Sequence, residues 1–386
     1  MNKVIHIFSK ILLQAIIRLN YGNGSTIPGH FALYLNKNIL KWYFKKIKKG
    51  VVLVTGTNGK TTTTHIIKKG LIGLGQKVIF SNNGANLENG IVSSFVKALP
   101  YFSNGNYDYG VFEVDELNLQ IILKNVTPKS IIFLNLSRDQ LDRYAELDHI
   151  LSSWQESISN LTNTDIYVYN KDPYLQKLKG KNIKTFSKNA NLVSLIKGDF
   201  NNINLSASYK VLLSFFPKEK KKITNLIKNF TPVFGRGEKF RYNNNEITLL
   251  LNKNPESFNE NLKLLTNLST TYPQKNNIVA IGLNNNIADG KDISWIYDVK
   301  TVLIQNLDKN ISKWVCLGGR YLDIANRLKY AGIKENKIVL VESFFKFKEY
   351  INGTQNKNYW VLPTYTSMLR IRSVFGNSSL GKSINA

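Results

Sequence analysis

The stretch VVLVTGTNGKTTTT, residues 51–64, combines the residue types needed to bind phosphate. An apolar run that can form a buried strand leads into glycines, a lysine and a row of threonines. Backbone N–H groups at a helix N terminus bind phosphate oxygens, aided by the helix dipole. Lys60 would reach the terminal phosphates of a nucleotide, and the Thr61 hydroxyl would ligate Mg²⁺. The residues predicted to hold the phosphates are Gly56, Thr57, Asn58, Gly59, Lys60, Thr61 and Thr62.

One departure from the general phosphate-loop pattern is visible in this stretch. Val54 stands where the pattern GxxxxGK[ST] has its first glycine, so the loop is a shortened variant. An ordinary strand-turn-helix junction is the competing interpretation. The succession of strand, G-x-x-G-K-T and helix favours a nucleotide site.

Acidic residues follow a second apolar run, in VFEVDE, residues 111–116. Glu113 comes at the end of the predicted strand, where its carboxylate could provide a second Mg²⁺ contact. Asp115 and Glu116 are alternatives by spacing. A solvated strand end explains the same pattern, but the phosphate loop upstream favours a metal contact.

Two further strand ends carry polar side chains. Those in FLNLSRDQLDRYAE could face the phosphates or cap the next helix: Asn135, Arg138, Asp139 and Asp142. In YVYNKDP, Asn170 and Asp172 follow another strand, where a nucleotide base or ribose could bind.

These candidates are separated by short β-rich runs that alternate with helical patterns. This order predicts an α/β fold with a doubly wound parallel sheet and ligands at the carboxyl ends of its strands. A charged helix and a Pro/Gly connection around Phe230 indicate a boundary, beyond which a second α/β pattern begins. We therefore expect an N-terminal helical segment over residues 1–49, a nucleotide-binding domain over residues 50–230, and a smaller α/β domain over residues 231–386.

Composition narrows the class of protein. The chain has 386 residues, 43% of them hydrophobic, which is enough for two folded domains. The single cysteine, Cys316, excludes an intramolecular disulfide and a Cys-clustered zinc site, and a cytoplasmic location is expected. The net charge of +26 suggests an anionic partner. Because the charge is spread and lacks the signature of an RNA-binding module, nucleic acid is not expected.

The first 22 residues form a helical pattern with two interpretations. Apolar residues recur at helical spacing, interrupted by Lys3, Lys10 and Arg18. The helix could touch a membrane surface, or it could pack on the domain behind it. No uninterrupted run approaches the roughly 20 apolar residues needed to span a bilayer, so no transmembrane segment is predicted.

The loop, the strand-end glutamate and the later Asn-Asp segment together resemble the Mur ligase superfamily. Further segments, among them STIPGHFAL, FGRGEKF, ADGKDISWIYDV, GGRYLDIANRLKYAGI and YWVLPTYTSML, resemble its MurT family over nearly the whole chain. The resemblance implies a Mur ligase-type ATPase domain followed by a smaller α/β domain. It also implies ATP-dependent amidation of the D-glutamate α-carboxyl of lipid II, through an acyl-phosphate, at the inner face of the membrane. Ammonia would come from a partner subunit, a class I glutamine amidotransferase of the GatD type.

The resemblance also assigns roles to residues of the first domain. Lys60 and Thr61 would hold phosphate and Mg²⁺, and Glu113 would be the second Mg²⁺ contact. Asn170 and Asp172 would lie near the nucleoside. ATP and Mg²⁺ are therefore the expected cofactors.

Two assignments fall in the second domain. Arg236 would reach the terminal phosphate from the domain junction. An aspartate of ADGKDISWIYDV would complete the Cys-His pair of the partner subunit; Asp292 is the choice, with Asp289 and Asp298 as alternatives. Cys316 lies inside an apolar run, KWVCLGG, so it is expected to be a core residue and not a glutaminase nucleophile.

The sequence departs from the family in one respect. Many MurT proteins carry a four-cysteine zinc ribbon, which is missing here, so no zinc is expected. Two other functions fit the loop: a stand-alone Mur-type or folylpolyglutamate-type amino-acid ligase, and a non-catalytic nucleotide-binding scaffold. The intact loop and Glu113 argue against the scaffold, and the C-terminal segments argue against the stand-alone ligase.

Overall fold

The computed structural model describes residues 1–19, 26–81, 85–102, 105–137, 146–192, 198–231 and 235–376. These residues divide into two compact units, of which the first lies within residues 1–231 and the second within residues 235–376.

The first unit contains a parallel sheet and the helices that cover it. Its strands are β1 (Ile47–Thr55), β2 (Val78–Phe80), β3 (Tyr107–Glu113), β4 (Ser130–Phe133), β5 (Asp165–Tyr169) and β6 (Ile183–Phe186). Its helices are α1 (Asn2–Arg18), α2 (Ile27–Leu35), α3 (Ile39–Phe44), α4 (Lys60–Gly73), α5 (Glu88–Ala98), α6 (Leu119–Leu123), α7 (Glu146–Ser159), α8 (Asp199–Phe215) and α9 (Lys220–Lys228).

The strands of this sheet lie in the order β2-β3-β1-β4-β5-β6, and every pair is parallel. The apolar residues of β1 from Val51 to Val54 are buried, as a strand covered on both faces requires. In the register, Val54 pairs with Glu113 and Thr55 pairs with Phe133. The predicted doubly wound parallel sheet is confirmed, and the carboxyl ends of β1, β3 and β4 meet at one edge.

The N-terminal helices pack on this unit through specific polar contacts. The ring of His6, on α1, bonds the Tyr43 hydroxyl over 3.0 Å and the Pro100 carbonyl over 3.2 Å. Helix α2 approaches α5 so closely that a Cβ at Gly29 would lie 1.8 Å from the carbonyl oxygen of Asn89. Of the helices that the structure describes, none has the length and apolar character needed to cross a membrane.

The second unit contains a mixed sheet. Its strands are β7 (Arg236–Tyr242), β8 (Asn245–Leu250), β9 (Asn277–Gly282), β10 (Lys313–Leu317), β11 (Ile338–Val341) and β12 (Asn358–Pro363). Its helices are α10 (Pro255–Ser269), α11 (Thr301–Asp308), α12 (Tyr321–Tyr330), α13 (Phe344–Asn352) and α14 (Tyr365–Val374).

The strand order in the second unit is β11-β10-β9-β12-β8-β7, with only β7 antiparallel to its neighbour among the described strands. Asn243 and Asn244 join β7 to β8, and both have positive φ, 49° and 61°. Asparagine tolerates this conformation better than most residues, so the pair suits a tight hairpin turn. Buried side chains such as Trp314 on one face and Phe347 on the other complete the core.

The burial of His6 predicts a pH-dependent stability. Desolvation by burial lowers the pKa of His6 below 6.5, although the bond to the Pro100 carbonyl opposes this. The unfolded chain then binds a proton more readily than the folded chain, so stability falls as the pH decreases through 6.5. His6 changes the free energy of unfolding by at most about 1.4 kcal/mol for each pH unit.

This prediction is checked by urea unfolding at pH 7.5 and pH 5.5, followed by circular dichroism. We expect His6→Gln to lose less stability than the unsubstituted chain between the two pH values. His30→Gln replaces an exposed histidine of α2 and serves as the control. Equal pH dependence in the His6 variant and the unsubstituted chain would contradict the assignment.

Candidate active site

The loop between β1 and α4 depends on two glycines in the left-handed region. Gly56 has φ +125° and Gly59 has φ +90°, which side chains rarely adopt. A Cβ at Gly59 would lie 2.3 Å from Oδ1 of Asn204, and one at Gly56 would lie 2.8 Å from the carbonyl oxygen of Asn135. Neighbouring groups thus approach the loop backbone as closely as glycine allows.

The loop is bonded to the segment that follows β4. The Asn58 N–H donates to Oδ1 of Asn135 over 2.8 Å, and the Asn135 amide donates back to the Asn58 carbonyl over 2.9 Å. The Thr57 N–H donates to the Asn135 carbonyl over 3.1 Å, and its hydroxyl bonds the backbone of Ser137. Asn135 therefore fixes the loop conformation. Three other candidates from this stretch, Arg138, Asp139 and Asp142, lie outside the described residues.

Lys60 begins α4 and is only 8% exposed. Its Nζ donates to the Gly56 carbonyl over 2.6 Å and forms an ion pair with Glu116 over 3.1 Å. The backbone around Glu116 is held by Asp115, which caps a short 3₁₀ helix, and by the Trp154 indole, which donates to the Glu116 carbonyl over 2.9 Å. Glu116, considered above as a metal contact, thus neutralises the lysine next to the loop.

Thr61 and Glu113, the two predicted Mg²⁺ contacts, lie together. The Thr61 hydroxyl donates to Oε2 of Glu113 over 2.8 Å, and both residues are buried. The Glu113 N–H donates to the Ser81 hydroxyl over 2.8 Å, which fixes the end of β3.

This pair fits a magnesium ion. Hydroxyl and carboxylate oxygens are hard ligands, and Mg²⁺ commonly uses one or two carboxylates together with substrate phosphates and water. Such a site needs few protein ligands. Within the described ranges, no group of three or more His, Cys, Asp or Glu side chains is placed to hold a metal ion.

Asn204 on α8 belongs to the same site but was missed by the sequence analysis. It is 1% exposed, and neither polar atom of its side chain has a hydrogen-bond partner within the described part of the chain. A buried polar group without a hydrogen-bond partner lowers the stability of the folded chain by about 1–3 kcal/mol. The unpartnered Asn204 amide therefore lies directly against the loop at Gly59.

Asn170 and Asp172 both follow β5, but their environments differ. Asp172 is buried, and its carboxylate accepts the N–H groups of Leu136, Tyr174 and Leu175 over 2.9–3.0 Å. It ties the turn after β5 to the segment that holds the loop. Asn170 is exposed at the end of β5.

In the second unit, Arg236 opens β7 and is half-buried. Burial raises the pKa of Tyr365, and the positive charge of Arg236 acts in the opposite direction. Arg236 thus lies near the start of α14.

The three candidate aspartates of residues 288–299 are distinguished by their contacts. Asp289 accepts the Thr366 N–H over 2.7 Å and also bonds its hydroxyl. Asp292 is partly exposed and accepts the Ser294 N–H over 2.8 Å. Hydrogen bonds from the Ser294 hydroxyl and N–H lower the pKa of Asp292, so it is ionised at neutral pH. Asp298 is exposed.

Cys316 lies in β10 with no exposed surface. Burial raises the pKa of its thiol to about 12, so the thiolate is negligible at neutral pH. Cys316 is a core residue and not a nucleophile.

The chain is similar in sequence to known protein families in both units. Residues 54–236 match the Mur ligase middle domain, and residues 251–368 match the MurT ligase C-terminal family. A relative from Staphylococcus aureus (strain COL), the MurT subunit of lipid II isoglutaminyl synthase (glutamine-hydrolyzing), is 27% identical over 89% of this chain and 91% of its own. The Streptococcus pneumoniae protein of the same name is 26% identical over 93% of this chain and 94% of its own.

The fold has a counterpart among solved structures. MurF ligase from Thermotoga maritima, in complex with ADP, superposes with a TM-score of 0.67. The match covers 91% of this chain and 85% of that chain at 16% sequence identity, so it shows the fold alone.

The position of Lys60 predicts that it is needed for binding Mg²⁺ and ATP. Removing its charge should weaken the binding of a non-hydrolysable ATP analogue about tenfold to a hundredfold, because a hydrogen bond to a charged group is lost. The double variant Lys60→Met with Glu116→Gln removes both partners of the buried pair, so no unpaired charge remains. Titration calorimetry measures the binding.

Lys69→Ala is the matched control on the same helix. Lys69 donates to the Thr231 hydroxyl over 2.9 Å at an exposed position, and its loss should change binding less than about twofold. Unchanged affinity in the folded double variant would show that Lys60 does not contact the phosphates.

Proposed function

The chain is a Mur ligase-type protein with a MurT-type C-terminal domain, and we propose that it is the ATP-dependent ligase subunit of a lipid II isoglutaminyl synthase. Its reaction amidates the α-carboxyl of D-glutamate in the stem peptide of lipid II, which yields D-isoglutamine for peptidoglycan synthesis. The ammonia comes from a separate glutaminase subunit of the GatD type. The reaction takes place on the cytoplasmic side of the membrane.

The observation that carries the ATP-dependent part is the buried cluster at the carboxyl ends of β1 and β3. Beside the glycine loop, Lys60 Nζ lies 3.1 Å from a carboxylate oxygen of Glu116. The Thr61 hydroxyl lies 2.8 Å from a carboxylate oxygen of Glu113. An ammonium group, a hydroxyl and a carboxylate at a helix N terminus form an arrangement suited to a nucleotide triphosphate with its metal. The choice of substrate is supported by the names of the relatives, which are subunits of lipid II isoglutaminyl synthase.

The residues of the site have different roles in phosphoryl transfer. Thr61 and Glu113 would hold Mg²⁺, which when bound offsets negative charge on the phosphates. Lys60 and the first-turn N–H groups of α4 bind the terminal phosphates and stabilise charge that develops during transfer. Asn135 and Asp172 keep the loop and its neighbouring segment in place, so this arrangement forms before substrate arrives.

The reaction proceeds in two steps. A carboxylate oxygen of D-glutamate attacks the γ-phosphorus of ATP, a P–O bond forms, and ADP leaves with the bridging oxygen. Ammonia then attacks the carbonyl carbon of the acyl-phosphate. The C–O bond to phosphate breaks, inorganic phosphate leaves, and the attacking nitrogen loses a proton to give the amide.

The need for a partner subunit rests on Cys316 and Asp292. A class I glutaminase uses a cysteine thiolate activated by histidine, and the single cysteine of this chain is buried with a pKa of about 12. Asp292 is partly exposed, and its lowered pKa keeps it charged. We assign Asp292 to orient the histidine of the partner subunit and to stabilise its protonated form.

The function is tested with the purified chain, alone and together with a GatD-type partner. Each sample receives lipid II, ATP and Mg²⁺, with either ammonium or glutamine, and the product is identified by mass spectrometry. We expect ammonium to support amidation by the chain alone, and glutamine to support it only with the partner. A product containing an added amino acid would identify a stand-alone ligase, and no ATP turnover in any mixture would identify a scaffold.

The assignment of Asp292 predicts a selective defect. Asp292→Asn should lower the glutamine-driven rate about a hundredfold or more, as loss of the orienting acid does in related triads. The ammonium-driven rate should change less than about twofold, because acyl-phosphate formation does not involve this residue. Initial rates with the two nitrogen sources measure the difference.

Asp298→Asn is the matched control, an exposed aspartate of the same segment. It should leave both rates unchanged. An equal loss with both nitrogen sources in a folded Asp292 variant would disprove the role, and a selective loss in Asp298→Asn would move it to that residue.

A further inference from the structure

Helix α1 carries apolar side chains on two faces, of which only one is covered. Ile5, Leu13 and Ile16 are buried against the body of the first unit. On another face, Val4 is 53% exposed, Phe8 56% and Ile11 50%. We call Val4, Phe8 and Ile11 the exposed stripe; their spacing of four and three residues places them on one side of the helix.

Polar contacts prevent the exposed stripe from turning inward. The His6 ring is bonded to the Tyr43 hydroxyl and the Pro100 carbonyl. One turn along the helix, Lys10 Nζ donates to the carbonyls at the end of α5, among them that of Val96 over 3.1 Å. Rotation of α1 would break these bonds and expose its buried face. The stripe is therefore a fixed surface feature.

The N-terminal segment that contains the stripe carries charge of a single sign. Residues 1–49 contain no aspartate or glutamate, and their cationic residues are Lys3, Lys10, Arg18, Lys37, Lys41, Lys45, Lys46, Lys48 and Lys49. Lys3 and Arg18 are exposed near the two ends of α1. Exposed Lys37 is also close to the helix start, because the amide of neighbouring Asn36 donates to Oδ1 of Asn2 over 2.7 Å.

We propose that the exposed stripe docks on the surface of an anionic phospholipid bilayer, with α1 lying in the plane of the interface. An amphipathic helix of this kind places its apolar side chains among the acyl chains and its cations among anionic headgroups. A second copy of this chain is a poor occupant, because two segments that each lack acidic residues would repel each other. The bilayer supplies both the apolar medium and the negative charge that the surface lacks.

This proposal stands apart from the proposed function. It rests on exposed residues of α1, and its test requires neither ATP nor lipid II. The helix packs on the unit with its other face, so the two interpretations of the N-terminal pattern given above are compatible. Docking would restrict the protein to the membrane surface.

The test is co-sedimentation of the full chain with sucrose-loaded vesicles, made of phosphatidylcholine alone or of equal parts phosphatidylcholine and phosphatidylglycerol. We expect binding to the anionic vesicles that weakens as salt rises. The double variant Phe8→Gln with Ile11→Gln should bind about tenfold more weakly, because two apolar side chains no longer enter the bilayer. The double variant Lys3→Gln with Arg18→Gln should bind the anionic vesicles about fivefold more weakly for each charge removed.

The matched control is Phe345→Gln with Leu322→Gln, which removes exposed apolar side chains of 71% and 53% exposure from helices of the second unit. It should bind vesicles as the unsubstituted chain does. Equal binding by the control and the stripe variant, or equal binding to neutral and anionic vesicles, would overturn the proposal. The proposal would also be overturned if sedimentation equilibrium showed that the unsubstituted chain is a dimer and the stripe variant a monomer, since a second copy would then cover the stripe.

Because every substituted residue is exposed, thermal unfolding should confirm that each variant is folded. Amidation of detergent-solubilised lipid II separates this proposal from the proposed function, since the stripe variant should retain that activity. Loss of vesicle binding with normal amidation supports docking. Loss of the complex with the glutaminase subunit, with vesicle binding unchanged, would assign the stripe to that subunit instead.

Discussion

The register of β1 between β3 and β4 is the constraint on which the site depends. Val54 pairs with Glu113 and Thr55 with Phe133, so three strand ends reach the same height at one edge of the sheet. The loop after β1, the carboxylate at the end of β3 and the asparagine after β4 are therefore neighbours without any long side chain bridging them. A shift of one residue in β3 would turn Glu113 to the other face of the sheet and separate it from Thr61.

Burial strengthens the ionic contacts at this edge of the sheet and increases the free-energy cost of breaking them. Lys60 and Glu116 are each at most 9% exposed, and removing one charge would leave the other in a medium of low dielectric. In the proposed function a phosphate would bring negative charge to the same ammonium, and Glu116 already holds that ammonium in place. The Asn135 side chain accepts the Asn58 N–H and donates to the Asn58 carbonyl, and Asp172 accepts backbone N–H groups on both sides of the site, so the loop is held in one conformation. The site is thus built from local charge pairs supported by a hydrogen-bonded frame.

The sequence predicted the parts of the site that depend on local pattern. A glycine loop between an apolar strand and a helix indicates Lys60 and Thr61 as candidates, and a carboxylate at a strand end indicates Glu113, which the structure places against Thr61. The sequence offered Asp115 and Glu116 only as alternative metal contacts. In the structure Glu116 pairs with Lys60 and Asp115 caps a 3₁₀ helix, a turn that hydrophobic periodicity does not predict. Asn204 escaped notice because it comes from a helix that is distant in sequence and meets the loop only through tertiary packing. For α1, helical spacing revealed the apolar residues, but only the fold shows which of them α2 and α5 leave uncovered.

The burial of Cys316 has a practical consequence. The chain has one cysteine, and its side chain has no exposed surface in β10. Maleimide reagents react with accessible thiolates, so the native protein should be nearly inert to them. A cysteine introduced at a chosen surface position would then carry the only fluorophore or spin label, with no native residue removed. The protein is in this sense ready for site-directed spectroscopy.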